Sequence, residues 1–352
     1  MPSHVAHLVF AEEVVIRAFG SDTPLQNRFG NFLALGAQGP DVFFHNQRTM
    51  PTGIRYGILL HRHGYGKFVA GMVDAVRARS VPFESEAGAF AAGFLTHAIL
   101  DRHTHPFINY FSGWVDPDEV SSARHRSMHP FFERIIDLFV LARYRSLGIN
   151  RYNFFSRVDC GDELPEAVET MEAAAMRLCY RRARRDEELF TRLRNAYRDT
   201  MGYYRYSNRI TPARLKEAMR REESGELGSR WLAILHPFAL DGATDYLNEK
   251  HDRWTDPCDE SRQLTDSFWD LFDRALESAA GPIAALRDAW AGALPLESLE
   301  NAIGNGGLSD TNGEEAPCRK LYSRPLALAD LLLYLRACIA DDRIPDSPPL
   351  VG

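Results

Sequence analysis

The stretch "AGAFAAGFLTHAILDRHTHPF" (87–107) constrains this chain more than any other. Small and large apolar residues would occupy every face of a helix here, and such a helix is stable only when other elements surround it. The same run nevertheless carries Asp101 and three histidines, His97, His103 and His105. A carboxylate taken out of water needs a compensating partner. The cations close in sequence are Arg102, which falls on another face, and the histidines. His97, Asp101 and His105 recur every fourth residue and so share one helix face, with about 6 Å between successive Cβ atoms. A metal ion is the economical partner for all three. Pro106 predicts that the helix ends at His105.

Apolar residues at three- and four-residue steps predict helices over 5–19, 59–79, 85–105 and 129–147. Further helices are expected over 163–200, 211–223, 229–248, 261–278, 281–293 and 325–341. Alternating strand patterns are almost absent, so the expected fold class is all-α, a multi-helix bundle with additional C-terminal helices. Breaker-rich segments at 35–53 and 111–121 have the length of functional loops. The expected organisation is a metal-binding helical core over 1–150 and a helical extension packed on it over 151–303. A flexible loop over 304–318 and a C-terminal helix and tail over 319–352 follow. Ten of the 12 histidines precede residue 130, which assigns their chemistry to the core.

The helix over 129–147 opens with His129 and Glu133, four apart, and Asp137 lies one turn further. An HxxxD face and an HxxxE face can present four ligands to one cavity, as helix bundles with carboxylate metal sites do. Imidazole nitrogen and carboxylate oxygen are the usual zinc ligands where thiolates are missing. The five cysteines are scattered with no CxxC pair, which suggests neither a disulfide framework nor a thiolate site. Iron and manganese accept the same donors. A net charge of −7 argues against bulk nucleic-acid binding. The basic stretch 181–198 is interleaved with acids and reads as a solvated helix face. No secretory leader is evident, and the most apolar late segment is interrupted by Asp330 and Arg336, so no transmembrane segment is expected. The expected location is the cytoplasm, with peripheral contact at the membrane as a variant.

Taken in order, "PSHVAHLVFAEEVV", "LGAQGPDVFF", "GILLHRHG", "GFLTHAILDRHTHPFINY" and "HPFFERIID" resemble the bacterial zinc-dependent phospholipase C family, in its intracellular type. The resemblance covers about residues 1–150, with looser similarity in "DYLNEKHDRWTDP" (245–257). It implies a helical bundle of the zinc phospholipase C and single-strand nuclease type around a trinuclear zinc site. By the same resemblance Asp41, His61, His97 and Asp101 would hold the first zinc. Asp101 would bridge to a second, also held by His7, and His105, His129 and Glu133 would hold the third. In the secreted enzymes the amine and carbonyl of the first residue complete one site; here the Pro2 amine, exposed by loss of Met1, or His4 would take that place. His63 is the alternative to His61, and His103 the alternative to His105. Asp137 would orient a histidine from behind the ligands.

Two or three zinc ions side by side suit phosphodiester hydrolysis, because they polarise phosphate oxygens and acidify water. The resemblance gives Asp41 a double role as ligand and general base, with a phospholipid or another phosphodiester as substrate. Phe43, Phe44, Phe107, Tyr110, Phe111 and Trp114 line a head-group or acyl pocket, or else belong to the core. Two alternatives stand beside this reading. One is a zinc nuclease of the single-strand-specific class, which carries HxxxD where this chain has His129 and Glu133. The other is a non-catalytic helical binding protein stapled by zinc. Oligomeric state is not legible in the sequence.

Overall fold

A computed structural model describes residues 4–224, 231–308 and 320–345. The described chain is predominantly helical. Its helices are α1 (His4–Phe19), α2 (Pro24–Asn27), α3 (Gly30–Ala37), α4 (Ile54–Arg62), α5 (Tyr65–Arg77), α6 (Glu86–Ser112), α7 (Met128–Arg145), α8 (Phe154–Val158), α9 (Glu166–Cys179), α10 (Leu189–Ser207), α11 (Pro212–Glu223), α12 (Phe268–Ser278), α13 (Ala280–Trp290), α14 (Leu296–Ile303) and α15 (Leu328–Ala340). One antiparallel hairpin joins β1 (Trp254–Asp256) to β2 (Asp259–Leu264).

Helix α6 is the axis of the molecule. Ser85 caps its first turn by accepting from the Gly88 amide at 3.2 Å, and every residue from Ala87 to Asp101 is buried. The small residues that look like weak packing in the sequence are what let α3 lie against this helix. A Cβ on Gly93 would come 2.1 Å from the Leu33 carbonyl oxygen, and one on Gly36 would come 2.1 Å from that of Phe90. Helices α1, α5, α7, α9 and α12 pack around the rest of α6. Asp137 on α7 fixes α1 against it, because Oδ1 accepts the Val5 and Ala6 amides at 3.0 and 2.9 Å. Those are N-terminal helix donors with no partner inside their own helix. This capping sets His7 opposite Asp101.

Several expectations need correction. The helix expected over 59–79 is two, α4 and α5, because Gly64 takes φ +80 and turns the chain between them. Helix α6 runs through Pro106 to Ser112; the buried Phe107, Ile108 and Tyr110 hold the helix beyond the missing proline amide. The span 163–200 is α9 and α10 with a turn between them. The basic residues 181–185 therefore lie in that turn and not on a helix face, and acids beside them are engaged elsewhere, Asp186 by Arg55, Tyr56 and Arg192. The span expected as a helix over 229–248 holds, in its described part, a single 3-10 turn (Trp231–Ile234), since Pro237 and the Asp241–Gly242 turn interrupt it. The helix expected from 261 starts only at Phe268, where Ser267 and Asp270 form a capping box; the residues before it are β2.

The loop expected over 304–318 is ordered packing as far as it is described. Gly306, Gly307 and Leu308 are buried, and the remainder lies outside the described residues, as do the Pro2 amine and the end of the tail. Cys258 is disulfide-bonded, against the reading of unpaired cysteines, while Cys160, Cys179 and Cys338 are free. A disulfide belongs more often to an oxidising compartment than to the cytoplasm, so the bonded Cys258 does not support the cytoplasmic location expected from the sequence. Among the described residues no helix is long and apolar enough to cross a membrane.

Candidate metal centre

Five stretches of chain meet at one buried point. Helix α1 brings His7; the 3-10 turn after α3 (Gly39–Phe43) brings Asp41; α4 brings His61. Helix α6 brings His97, Asp101 and His105, and α7 brings His129 and Glu133. Gly39 makes the turn possible, with φ +53 and so little room that a Cβ would come 2.4 Å from the His97 ring. These eight residues form three groups: His7, His97 and Asp101; Asp41, His61 and His97; His105, His129 and Glu133. Within each group the possible ligand atoms lie within 4.8 Å of one another.

The groups are joined. His97 Nε2 lies 3.1 Å from Asp101 Oδ2 and 3.6 Å from Asp41 Oδ2, so one imidazole serves two groups. Asp101 Oδ1 lies 3.2 Å from His7 Nε2 and 3.5 Å from His105 Nε2, which links the first group to the third. His61 Nε2 is 3.0 Å from Asp41 Oδ1, and His129 Nε2 is 3.1 Å from Glu133 Oε1. The His7 and His97 rings stack with centroids 4.2 Å apart.

Three of the imidazoles are oriented from behind. The Nδ1 atoms of His61, His97 and His105 lie 2.8, 3.0 and 2.9 Å from the carbonyls of Gly57, Ala37 and Leu308. A carbonyl only accepts, so each Nδ1 donates its N–H, and the Nε2 atoms face the carboxylates. Despite their closeness, His97 Nε2, both Asp41 oxygens, Asp101 Oδ2 and Glu133 Oε2 make no hydrogen bond. Lone pairs facing one another at this range repel unless positive charge lies between them. That charge is either a proton on an imidazole or a metal cation.

Electrostatics agree. Burial favours the neutral form of each carboxylic acid, yet His105 and His97 hold Asp101 well below the ordinary carboxylate range. Burial is likewise outweighed at Asp41 by His97 and His61, and at Glu133 by His129 and His105. Burial alone would depress His97, but Asp101 and Asp41 overcome it and push its pKa up to about 9. Three buried anions are thus kept ionised by whatever cation is at hand. His61 and His129 form the open edge of the cluster, with side chains 12% and 28% exposed. Phe44 lies against the His61 ring at that edge.

The alternatives fall outside the cluster. His4 is stacked on Phe154 and edge-on to Tyr204, where burial holds its pKa well below the usual value. His63 caps α4 beside the Tyr180 ring. His103 points Nδ1 back to the Ile99 carbonyl of its own helix. Asp137 does orient a histidine, but it is His236, at 3.0 Å, and not a member of the cluster. Phe43, Phe107 and Tyr110 are core residues, the last two packed on Trp254. The sequence offered no sign of Leu308, whose contribution is a backbone carbonyl.

Comparison with protein families, curated proteins and solved structures finds no match for the chain. The site therefore stands on its own geometry. Imidazole and carboxylate donors, most of them buried and several of their facing atoms without a hydrogen bond, fit a metal cation.

Proposed function

We propose that this chain is a zinc-dependent phosphodiester hydrolase of the phospholipase C kind, holding two to three zinc ions. One observation carries the reading: three connected groups of donor atoms lie buried together, open at one edge, with five of those atoms lacking any hydrogen bond. A purely structural zinc site is closed by four protein ligands, whereas the group of His105, His129 and Glu133 offers three and lies at the exposed edge. Asp41, His61, His97 and Asp101, then His7 with Asp101, then His105, His129 and Glu133, would hold the ions. When bound, zinc supplies Lewis acidity toward a phosphoryl oxygen and lowers the pKa of water.

The chain's own residues supply the rest. Asp41, ionised and with both oxygens unpartnered, is the base that takes a proton from the water attacking phosphorus. The new P–O bond forms as the bond to the alcohol oxygen breaks, and that oxygen leaves protonated by solvent entering at the His61 and His129 edge. Carbonyls behind His61, His97 and His105 keep those rings from turning as charge develops. Phe44 beside His61 narrows the entrance for an apolar portion of the substrate. The net charge of −7 repels polyanions and favours a lipid phosphodiester over a nucleic acid.

The test is a parallel assay of the zinc-loaded protein on phosphatidylcholine vesicles, a soluble nitrophenyl phosphodiester and single-stranded DNA, with and without chelator. Chelator-sensitive release of diacylglycerol is expected. Zinc-loaded protein that hydrolyses none of the three is not a phosphodiesterase, and cleavage of DNA alone assigns it to the nuclease reading.

A further inference from the structure

The segment after α14 looks in sequence like a spacer, yet it is wired into the cluster. Gly304 turns the chain with φ +77. The backbone then docks on α5: the Gly66 amide donates to the Gly304 carbonyl at 3.0 Å and the Gly64 amide to that of Asn305 at 2.9 Å. Asn305 Oδ1 accepts the Lys67 amide at 2.9 Å. From the other side, Arg102 on α6 reaches across with its guanidinium. It donates to the carbonyls of Ile303, Gly304 (3.2 Å) and Gly306 (2.9 Å). Leu308 follows, fully buried, and its two backbone groups meet two histidines of different metal groups. Its amide donates to the His61 carbonyl at 2.9 Å, and its carbonyl accepts from His105 Nδ1 at 2.9 Å.

We infer that Leu308, held in register by Arg102, is a positioning residue that fixes the tautomer and ring orientation of His105 and ties His105 to the His61 helix. This rests on the metal reading proposed above and adds to it a part of the chain some 200 residues from the ligands. The chemistry is that of the acceptor behind a ligating imidazole. With Nδ1–H given to a carbonyl, Nε2 keeps its lone pair toward Asp101 and Glu133. Without the acceptor the ring is free to turn or to move its proton to Nε2, which removes the donor. Arg102 neighbours Asp101 in the chain, so one turn of α6 presents the bridging carboxylate and also grips the strap. A single Lys ammonium cannot span three carbonyls in the way the planar fork does.

The experiment uses the full-length chain with selectively 15N-labelled histidine, metal-free and zinc-loaded, as wild type, Arg102→Ala, Arg102→Lys, Leu308→Ala and Leu308→Met. In metal-free wild type His105 is expected to show a slowly exchanging N–H on Nδ1, with that signal kept on zinc loading. Arg102→Ala and Leu308→Ala are expected to lose the protection and to weaken zinc at the His105 group about 10–100-fold in chelator competition. Leu308→Met, which keeps the volume, should restore both; Arg102→Lys should resemble the alanine variant. A His105 ring that carries no proton on Nδ1 in metal-free wild type overturns the inference without any variant. So does folded Arg102→Ala and Leu308→Ala protein with unchanged Nδ1–H protection and zinc affinity. If wild type binds no zinc the proposed function falls, while the Nδ1 signal still decides the role of Leu308.

Discussion

Gly93→Ala places a single methyl group between α6 and α3, one helical turn (about 6 Å) before His97 and about 12 Å before Asp101, directly on the contact that positions Asp41. The added Cβ would lie 2.1 Å from the Leu33 carbonyl oxygen and 2.7 Å from the Ala37 amide nitrogen, where ordinary contact begins near 3.4 Å. Helix α3 must therefore retreat by about 1 Å, and overpacking of this kind costs roughly 1–3 kcal/mol. The retreat carries the Ala37 carbonyl away from His97 Nδ1, now 3.0 Å distant, and carries Asp41 with it. Asp41 Oδ2 already stands 3.6 Å from His97 Nε2, so the Asp41 group opens while His105, His129 and Glu133 stay together. Urea unfolding and zinc analysis on dialysed protein provide the assay. A lowered midpoint and the loss of about one zinc per chain are expected. A variant with wild-type midpoint and full zinc content would show that the α3–α6 contact does not build the site.

Asp101→Asn removes the carboxylate that links two groups and should abolish both zinc loading and hydrolysis; full zinc content with retained activity would take Asp101 out of the site. His129→Ala should lose one zinc without global unfolding, because its side chain is 28% exposed at the cluster's edge, and unchanged stoichiometry would count against the third group. Glu172 lies away from the cluster on α9, and burial together with Glu169 pushes its pKa up to about 8 from 4.5. Its folded pKa is raised, so between pH 4.5 and 8 the unfolded chain releases a proton that the folded chain keeps, and stability falls as pH rises through that window. At about 1.4 kcal/mol per pH unit the loss reaches roughly 3 kcal/mol by pH 7. Glu172→Gln should therefore raise the pH 7 unfolding midpoint and flatten its dependence between pH 5 and 8; an unchanged slope would mean that Glu172 is ionised in the fold.

What the sequence made legible was the conflict within α6. An apolar helix carrying Asp101 between two histidines had to find a partner for the carboxylate, and the fourfold spacing put all three on one face. His129 and Glu133 were legible for the same reason. The close α3–α6 approach was not, since Gly36 and Gly93 act through missing atoms that register as poor helix formers. Gly64 was overlooked because the apolar periodicity continues across it. The hairpin over 254–264 was masked by the helical pattern that follows it, although Ser267 and Asp270 mark where that helix begins. Leu308 was beyond reach, because a carbonyl has no side-chain signature and its glycine-rich surroundings resemble a spacer. Cys258 has no nearby cysteine in sequence to announce its disulfide.

For the site to work as proposed, divalent cations must occupy the space among Asp41, His97, Asp101 and Glu133. Crystals grown from zinc-loaded protein and measured on both sides of the zinc absorption edge test that directly. At least two anomalous peaks are expected, each about 2.0–2.2 Å from the imidazole nitrogens and carboxylate oxygens of its group, one of them touching Asp101. A cluster without anomalous density, its histidines instead hydrogen-bonded directly to the three carboxylates, would contradict the account.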